Sequence, residues 1–382
     1  MTEGGPRPEH EEMSVLMIVE QLRRSAAGGI GTYVRGLLGG LDDLASEGET
    51  VPRVELVASR APRGRPDPLA ELGHPVRSVA LPGPLLTRAW DRGLVRNRTG
   101  NDILHATSLA TMEPETSALV VTVHDLLWRQ LPDAYPARGR RWHEHALARA
   151  IRRATRFIVA NDEVAGELLA EGAPPGSITV IPMGVDHLPP PDHAAADRLL
   201  SRLGITGPFL LSVGTLEPRK NHERLVAAYR RARTKLPEPW PLLMVGPSGW
   251  GRRVKPEEGV VFAGLVSPGE LAAFYGSARL LAYVPLIEGF GLPPVEAMSC
   301  GIPVVASPLP STGGAALEVD PSSIESIAEG IVKVATDDAV RARLVGLGAS
   351  RAAELRWASI ARRHLAVWDS AVGDRWSGAR RG

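Results

Sequence analysis

Around residue 290 two glutamates stand eight positions apart: Glu288 and Glu296, within Tyr283-Val284-Pro285-Leu286-Ile287-Glu288-Gly289-Phe290-Gly291-Leu292-Pro293-Pro294-Val295-Glu296-Ala297-Met298. At that spacing the carboxylates can divide their work. One reaches a reacting group, and the other accepts hydrogen bonds from a sugar diol. A second chemical group lies upstream, in Ser212-Val213-Gly214-Thr215-Leu216-Glu217-Pro218-Arg219-Lys220-Asn221. Arg219 can grip a phosphate through its bidentate fork, and Lys220 adds a compact point charge. A diphosphate leaving group gains negative charge as its bond to a sugar breaks. Cations fixed beside it therefore stabilise the transition state more than the ground state. Together the two segments suit a nucleotide-sugar site. Each also has an ordinary reading: a Gly-Pro-rich surface turn for the glutamates, and a solvated pair at a helix start for Arg219-Lys220.

Two further segments carry chemistry. Ala26-Ala27-Gly28-Gly29-Ile30-Gly31-Thr32-Tyr33 follows a strand-like run, and its glycines allow close backbone approach to a ligand at a helix start. Its spacing is not the dinucleotide fingerprint G-x-G-x-x-G, and a flexible loop is the plain alternative. Val121-Thr122-Val123-His124-Asp125-Leu126 puts a His-Asp step at a strand end. His124 there can bond a donor sugar or stabilise charge near the anomeric carbon, or it can cap and pack.

These groups need elements to hold them. Strand-like runs occur at Val15–Val19, Val54–Ala58, Ala118–Val123, Arg156–Ala160 and Ile178–Ile181. A helical stretch spans Thr32 to about Leu41, and helical patterns separate several of the other runs. After Pro189-Pro190-Pro191 and a helix over Ala194–Leu203, a second series follows: Phe209–Val213, Pro241–Val245, Val260–Ala263, Leu280–Val284 and Pro303–Ala306. This alternation predicts parallel β/α units. Open sheets of that kind bind ligands beyond the carboxyl ends of their strands, where all four segments fall. Gly289 and Gly291 let the chain turn after Leu280–Val284, and Pro293-Pro294 suit the first turn of the helix that follows. The N-terminus of that helix is a seat for phosphate, with Glu288 expected at the loop mouth and Glu296 deeper in the helix. The predicted organisation is a polar tail over 1–12, a first domain over 13–187 and a linker over 188–207. A second domain over 208–358, a terminal helix over 359–375 and a tail over 376–382 complete it.

Composition narrows the classes. The 382 residues are 44% apolar and 23% charged with a formal net charge of +1, an ordinary globular balance that argues against a nucleic-acid binder. No apolar run is long enough to span a bilayer, and the first residues lack the apolar core of a signal peptide. The single cysteine, Cys300, fits a reducing cytoplasm and reads as packing at a helix end. The ten histidines show no metal-ligand spacing, so no metal site is expected. Over Arg138–Arg156 one helical face carries Arg138, Arg141, His145, Arg149, Arg152 and Arg156, while Leu147, Ile151, Ala154 and Ile158 lie opposite. The face is either simply solvated or a docking surface for anionic lipid or a lipid-diphosphate acceptor.

The Glu288-to-Glu296 segment resembles the Glu-x7-Glu signature of the family 4 retaining glycosyltransferases, and Gly214…Glu217-Pro218-Arg219-Lys220 is similar to that family's cation loop. The resemblance runs from about Val15 to Val372 and is more specific in the second half. It implies the GT-B fold, two Rossmann-like doubly wound parallel-sheet domains facing across a cleft, with the terminal helix packed back on the first. It also implies metal-independent transfer of a hexose from a nucleotide-diphospho-sugar to a glycan or lipid-linked acceptor. The leaving phosphate would help to deprotonate the acceptor, so no dedicated base is needed and no cofactor is expected. His124, Arg219, Lys220 and Glu288 would be catalytic. Gly28, Gly29, Gly214, Leu265, Gly289, Phe290, Gly291, Leu292 and Glu296 would hold the donor, with Ile30 and Asp125 on the acceptor side. Within this, Phe262-Ala263-Gly264-Leu265-Val266 matches the nucleobase position and Glu296 the ribose partner.

His124-Asp125 with the cation loop resembles the mannosyltransferase-like members, which favours GDP-mannose. A UDP-sugar-dependent glucosyl or N-acetylglucosaminyl transferase is the enzymatic rival, and an inactive nucleotide-binding subunit is the other. Two departures feed the latter: Thr215 stands where many members carry a further cation, and Ser307–Gly314 replaces a longer loop, removing some donor-side contact or loop rigidity. Lipid-linked acceptors are common among the relatives, which gives Arg138, Arg141, Arg149, Arg152 and Arg156 a place at an anionic membrane surface. The protein is then cytoplasmic and peripheral to the inner face of the membrane.

Overall fold

The computed structural model describes residues 12–24, 28–64, 66–249 and 257–379. They divide into two compact units. The first takes in the chain up to Leu126, Ala137–Ile181 and the residues from Ala358 on. Its sheet holds seven parallel strands: β1 (Ser14–Ile18), β2 (Arg53–Ala58), β3 (Val76–Ser78), β4 (Ile103–Ala106), β5 (Ala118–Val123), β6 (Arg156–Val159) and β7 (Ile178–Val180). Strands β4 and β5 are buried at every position, the mark of a parallel sheet covered on both faces. Their order is β3-β2-β1-β4-β5-β6-β7. The winding direction reverses between β1 and β4, where loops diverge and leave room for a ligand. Two strands go beyond the sequence expectation. β3 is only three residues long, and in β4 the buried His105 interrupts an otherwise apolar run.

The first helix runs Gly28–Ser46 rather than from Thr32. Tyr33, Val34, Leu37, Leu38, Leu41 and Leu44 give it a continuous buried stripe. That tertiary burial carries the helix back through glycines that would leave an isolated segment frayed. Ala26 and Ala27 lie outside the described residues, as do 1–11 of the expected tail. At the other end the helix Trp357–Ala379 passes both the expected end at 375 and part of the expected tail.

A buried polar cluster ties this last helix to the sheet of the first unit. Tyr33 Oη lies 2.8 Å from His364 Nε2 and 2.9 Å from Thr122 Oγ1, and Thr122 Oγ1 is 2.9 Å from His105 Nε2. His364 Nδ1 stands 2.8 Å from the Ile360 carbonyl, so Nδ1–H donates there and Nε2 accepts the Tyr33 hydroxyl. Burial pushes His364 down to about 4 and His105 well below its ordinary value. As pH falls from about 6.5 to about 4, the unfolded chain takes up a proton that folded His364 refuses, so stability is lost through that window. Urea unfolding of the first unit, followed through buried Trp90 and Trp368, should weaken by about 2 kcal/mol between pH 7 and pH 5 on account of His364 alone. His364→Gln should flatten that dependence, and an unchanged slope in the variant would remove the histidine as its source.

The second unit comprises Leu127–Pro136 and Pro182–Trp357. Its six parallel strands are β8 (Leu210–Val213), β9 (Leu242–Val245), β10 (Val260–Gly264), β11 (Leu280–Tyr283), β12 (Val304–Ala306) and β13 (Leu317–Glu318). The order β10-β9-β8-β11-β12-β13 puts the reversal between β8 and β11. Helices His222–Arg233 and Ile324–Thr336 close one face through Leu225, Tyr229, Ile327 and Ile331, all fully buried with Leu210, Leu242 and Leu280.

The expected boundaries shift in two places. Residues 182–187 belong with the second unit, because Val185 N–H donates to the Leu355 carbonyl at 2.8 Å and Asp186 accepts the Trp357 N–H at 2.8 Å. A Cβ on Gly184 would stand 2.5 Å from the Trp357 ring, so only glycine allows that approach. The segment 188–207 is no free linker either. Helix His193–Arg202, capped by Asp192, packs on helix Pro268–Ser277, with Pro191 against Gly276.

Candidate functional site

Strands β8 and β11 are hydrogen-bonded neighbours, with Leu211 opposite Leu281. The loops that leave their carboxyl ends therefore emerge side by side at the reversal of the sheet. After β8, Gly214 adopts φ +149°, and the Cβ it lacks would sit 3.5 Å from the stem of Lys220. A short 3-10 turn, Pro218–Lys220, then presents both cations. Asn221 closes the turn at φ 60°, a left-handed conformation that asparagine tolerates better than most residues. Its amide donates to the carbonyls of Val284 at 2.9 Å and Pro321 at 2.7 Å, which pins the turn to the end of β11. The Leu286 N–H donates to the Arg219 carbonyl at 2.9 Å and completes the stitching of the two loops.

The Glu288 loop follows β11 and leads into helix Leu292–Ser299, whose N-cap is Gly291 at φ 87°. Pro293 and Pro294 carry no N–H, so the free main-chain donors of that helix start come from Gly291 and Leu292. The seat for an anion is thus narrower than a full helical turn. Phe290 is buried beside it.

Glu288 is not exposed at the loop mouth. Its side chain is 9% exposed and lies between the two cations, 2.7 Å from Arg219 Nη1 and 2.5 Å from Lys220 Nζ. The adjacent loops bring opposite charges into one partly dry space, and the carboxylate turns inward to meet them. Arg219 also pairs with Glu217 at 2.6 Å, and Lys220 donates to the Tyr283 hydroxyl at 2.7 Å. Burial alone would raise the Glu288 carboxyl, but Lys220 and Arg219 together hold it below its ordinary value. Burial pulls the Lys220 ammonium down, opposed by Glu288. Arg219 is raised, the attraction of Glu288 and Glu217 outweighing its burial. The result is one carboxylate shared by two cations, an arrangement that a diphosphate could enter by replacing the carboxylate.

Glu296 is 6% exposed. Its carboxylate accepts from the Tyr275 hydroxyl at 2.8 Å, and His187 Nε2 lies 3.1 Å from its other oxygen. Two lone-pair positions remain for a further donor. Leu265, expected near a nucleobase, is 79% exposed just after β10. The short loop Ser307–Gly314 is anchored at several points. Ser311 and Thr312 are fully buried, Ser307 donates to the Pro285 carbonyl at 2.6 Å, and Arg351 donates to the Ser311 carbonyl at 2.9 Å.

In the first unit Gly28 and Gly29 are exposed in the first helical turn, and Ile30 is half-buried. His124 follows β5, its Nε2 2.9 Å from the Thr107 carbonyl and its ring edge-on to Tyr33 at 5.1 Å between centroids. Burial lowers the His124 imidazole, with the Thr107 carbonyl and Asp125 opposing. The neutral ring donates from Nε2, which leaves Nδ1 as an acceptor. Asp125 is next in the chain and half-buried. On helix Ala137–Arg153 the basic face is less uniform than its pattern predicts. Arg149 pairs with Asp91 at 2.8 Å, and Arg156, just past the helix, pairs with Asp374. Arg138, Arg141 and Arg152 remain exposed.

Sequence reasoning did not single out Tyr283, Tyr275, His187 or Asn221 as parts of the site. Asn221 had a local signal, standing directly after the cations at a helix start. The partnership of His187 with Glu296 had none, because it spans 109 residues.

With this geometry in view, two family models match. Glycosyltransferase Family 4 matches residues 27–187, and Glycosyl transferases group 1 matches residues 201–348. An O-antigen chain mannosyltransferase B of Escherichia coli is 29% identical over 254 residues, 62% of this chain and 66% of that protein. A D-inositol 3-phosphate glycosyltransferase of Kineococcus radiotolerans is 31% identical over 262 residues, 58% of each chain. These matches span two thirds or less of each relative's length. Among solved structures, a sucrose-phosphate synthase from Thermosynechococcus elongatus superposes with a TM-score of 0.73 at 21% identity, over 95% of this chain and all of that one, a likeness of fold.

Proposed function

We propose that this chain, which belongs to the family 4 retaining glycosyltransferases of the GT-B fold, moves a hexose from a nucleotide-diphospho-sugar to a glycan or lipid-linked acceptor. The observation that carries this reading is the pair Arg219 and Lys220 at the β8/β11 reversal, already holding one anion, Glu288. In the proposed reaction the donor diphosphate takes those cations and the main-chain donors of Gly291 and Leu292, with Gly214, Gly289 and Phe290 shaping the seat. Glu288, released, bonds sugar hydroxyls near the reacting carbon, and Glu296 takes the ribose. As the bond to the anomeric carbon breaks, the cations stabilise the charge growing on the leaving phosphate. That phosphate helps to deprotonate the acceptor hydroxyl, and the two cations serve where a metal ion would otherwise be needed. Leu265 lies along the base, and Gly28 and Gly29 approach the donor phosphate. His124 bonds the donor sugar, with Ile30 and Asp125 on the acceptor side.

Mannose from GDP-mannose is the favoured donor, supported by the likeness to the O-antigen mannosyltransferase. Among the described residues no helix is long and apolar enough to cross a membrane. We propose that the enzyme works in the cytoplasm, touching the inner face of the membrane through Arg138, Arg141 and Arg152, since Arg149 and Arg156 already hold carboxylates. Thermal-shift screening of GDP-, UDP-, ADP- and dTDP-sugars, followed by a donor–acceptor array read by mass spectrometry, tests the reading. A GDP-mannose shift with mannosyl transfer supports it. A response confined to UDP-sugars moves the assignment to a glucosyl or N-acetylglucosaminyl transferase, and binding without any transfer sinks the enzymatic reading.

A further inference from the structure

The first unit contains a cavity of about 920 Å³ beside helices Gly83–Asp91 and Ala137–Arg153, built wholly from that unit's residues. Its wall is charged and unbalanced: five arginines face three carboxylates. Two of the arginines are already matched, Arg149 with Asp91 and Arg153 with Glu113. The remaining three, Arg92, Arg96 and Arg152, form no ion pair among the described residues and come from two places in the chain, the segment after helix Gly83–Asp91 and the end of helix Ala137–Arg153. Arg149 Nε, buried at the same wall, also lacks a partner. Trp142, its indole N–H held by Asp91 at 2.9 Å, adds an aromatic wall.

A solvated basic face needs neither concavity nor an aromatic side. Arg92, Arg96 and Arg152 are exposed along a hollow of ligand size, where guanidinium groups can meet phosphate oxygens in planar, bidentate geometry. An aromatic wall suits the ring or chain that a phosphate is attached to. We propose that this cavity binds a phosphate ester of a carbohydrate or lipid head group, with Arg92, Arg96 and Arg152 on the phosphate and Trp142 beside the esterified moiety. The fixed pairs Arg149–Asp91 and Arg153–Glu113 hold the walls apart. Its Glu113–Glu115 wall precedes β5 and Arg153 precedes β6, whereas His124 follows the carboxyl end of β5, so the cavity is an anion site independent of the transfer reading above.

Calorimetric titration of the full chain with glucose 6-phosphate, and flotation with phosphatidylcholine vesicles containing phosphatidylglycerol, separate a soluble from a membrane source. The double variant Arg96→Glu/Arg152→Glu should weaken binding of the responding probe about tenfold or more. Thermal stability and the nucleotide-induced thermal shift should not change, since neither residue holds a structural pair. Arg96→Gln/Arg152→Gln should give an intermediate loss and covers a failure of the charge-reversed chain to fold. Response to glucose 6-phosphate alone assigns a soluble phosphorylated saccharide, and response to vesicles alone assigns a lipid head group. The proposal is overturned if neither probe binds, or if binding is the same in wild type and double variant. Flotation that depends on Arg138 and Arg141, outside the cavity, and survives in the Arg96/Arg152 variant removes the lipid source, and the proposal is then overturned unless glucose 6-phosphate binding is lost in that variant. Nucleotide binding that survives such a result leaves the transfer reading standing.

Discussion

Lys220→Ala should lower the turnover of sugar transfer by about a hundredfold or more, the scale on which a fixed charge-stabilising group acts on a developing anion. The side chain is 12% exposed, reaches Glu288 at 2.5 Å and is steadied by the Tyr283 hydroxyl at 2.7 Å. Its ammonium is therefore held in place before any donor arrives, and little reorganisation accompanies the reaction. The variant should still fold, because Glu288 keeps Arg219 as a partner at 2.7 Å. Single-turnover rates at saturating donor would isolate the chemical step. Turnover within a few-fold of wild type would remove Lys220 from the catalytic group.

Glu288→Gln should split binding from transfer. Glu288 occupies both cations, so an entering diphosphate must displace a buried carboxylate. Charge-assisted hydrogen bonds of that kind contribute about 1.5–3 kcal/mol each. Without the negative charge, nucleoside diphosphate should bind about tenfold more tightly, while transfer falls about a hundredfold because the sugar loses its anionic partner. The variant should also be less stable by about 3 kcal/mol, since two cations are left under-neutralised in a mostly buried site. Saturating nucleoside diphosphate should restore more stability to it than to wild type. Calorimetry and thermal unfolding with and without nucleotide read all three effects. Affinity that drops together with transfer would mean that Glu288 only props the cations in place.

Much of this site was legible because its signals are local. Apolar runs ended by Gly214 and by the Gly289–Pro294 turn mark strand ends, and the charged residues beside them then follow by position. The strands that escaped notice, β3, β4 and β13, are short or, like β4, carry a polar residue inside a buried run. Partnerships across long stretches of chain left no trace. The inward turn of Glu288 depends on β8 and β11 becoming neighbours, a fact of sheet order that spacing does not encode. The basic helix shows the same limit, since its pattern gives no hint that Asp91 neutralises Arg149, or that the helix ends at Arg153 and leaves Arg156 in β6, paired with Asp374. The start of the first helix was misplaced because glycine propensity is local, whereas the stripe from Tyr33 to Leu44 stabilises the helix through the core.

The contribution of His364 and Trp368 to the core around Tyr33 fixes an order of events during synthesis. The ribosome releases every residue of the Pro182–Trp357 stretch before Ala358 appears. The amino-terminal half therefore waits, with Tyr33, Thr122 and His105 lacking their last companion, while the later half can already close. The portion of the polypeptide made first is the last to be finished, and a nascent chain stalled short of its end exposes that unfilled hollow to chaperones and proteases.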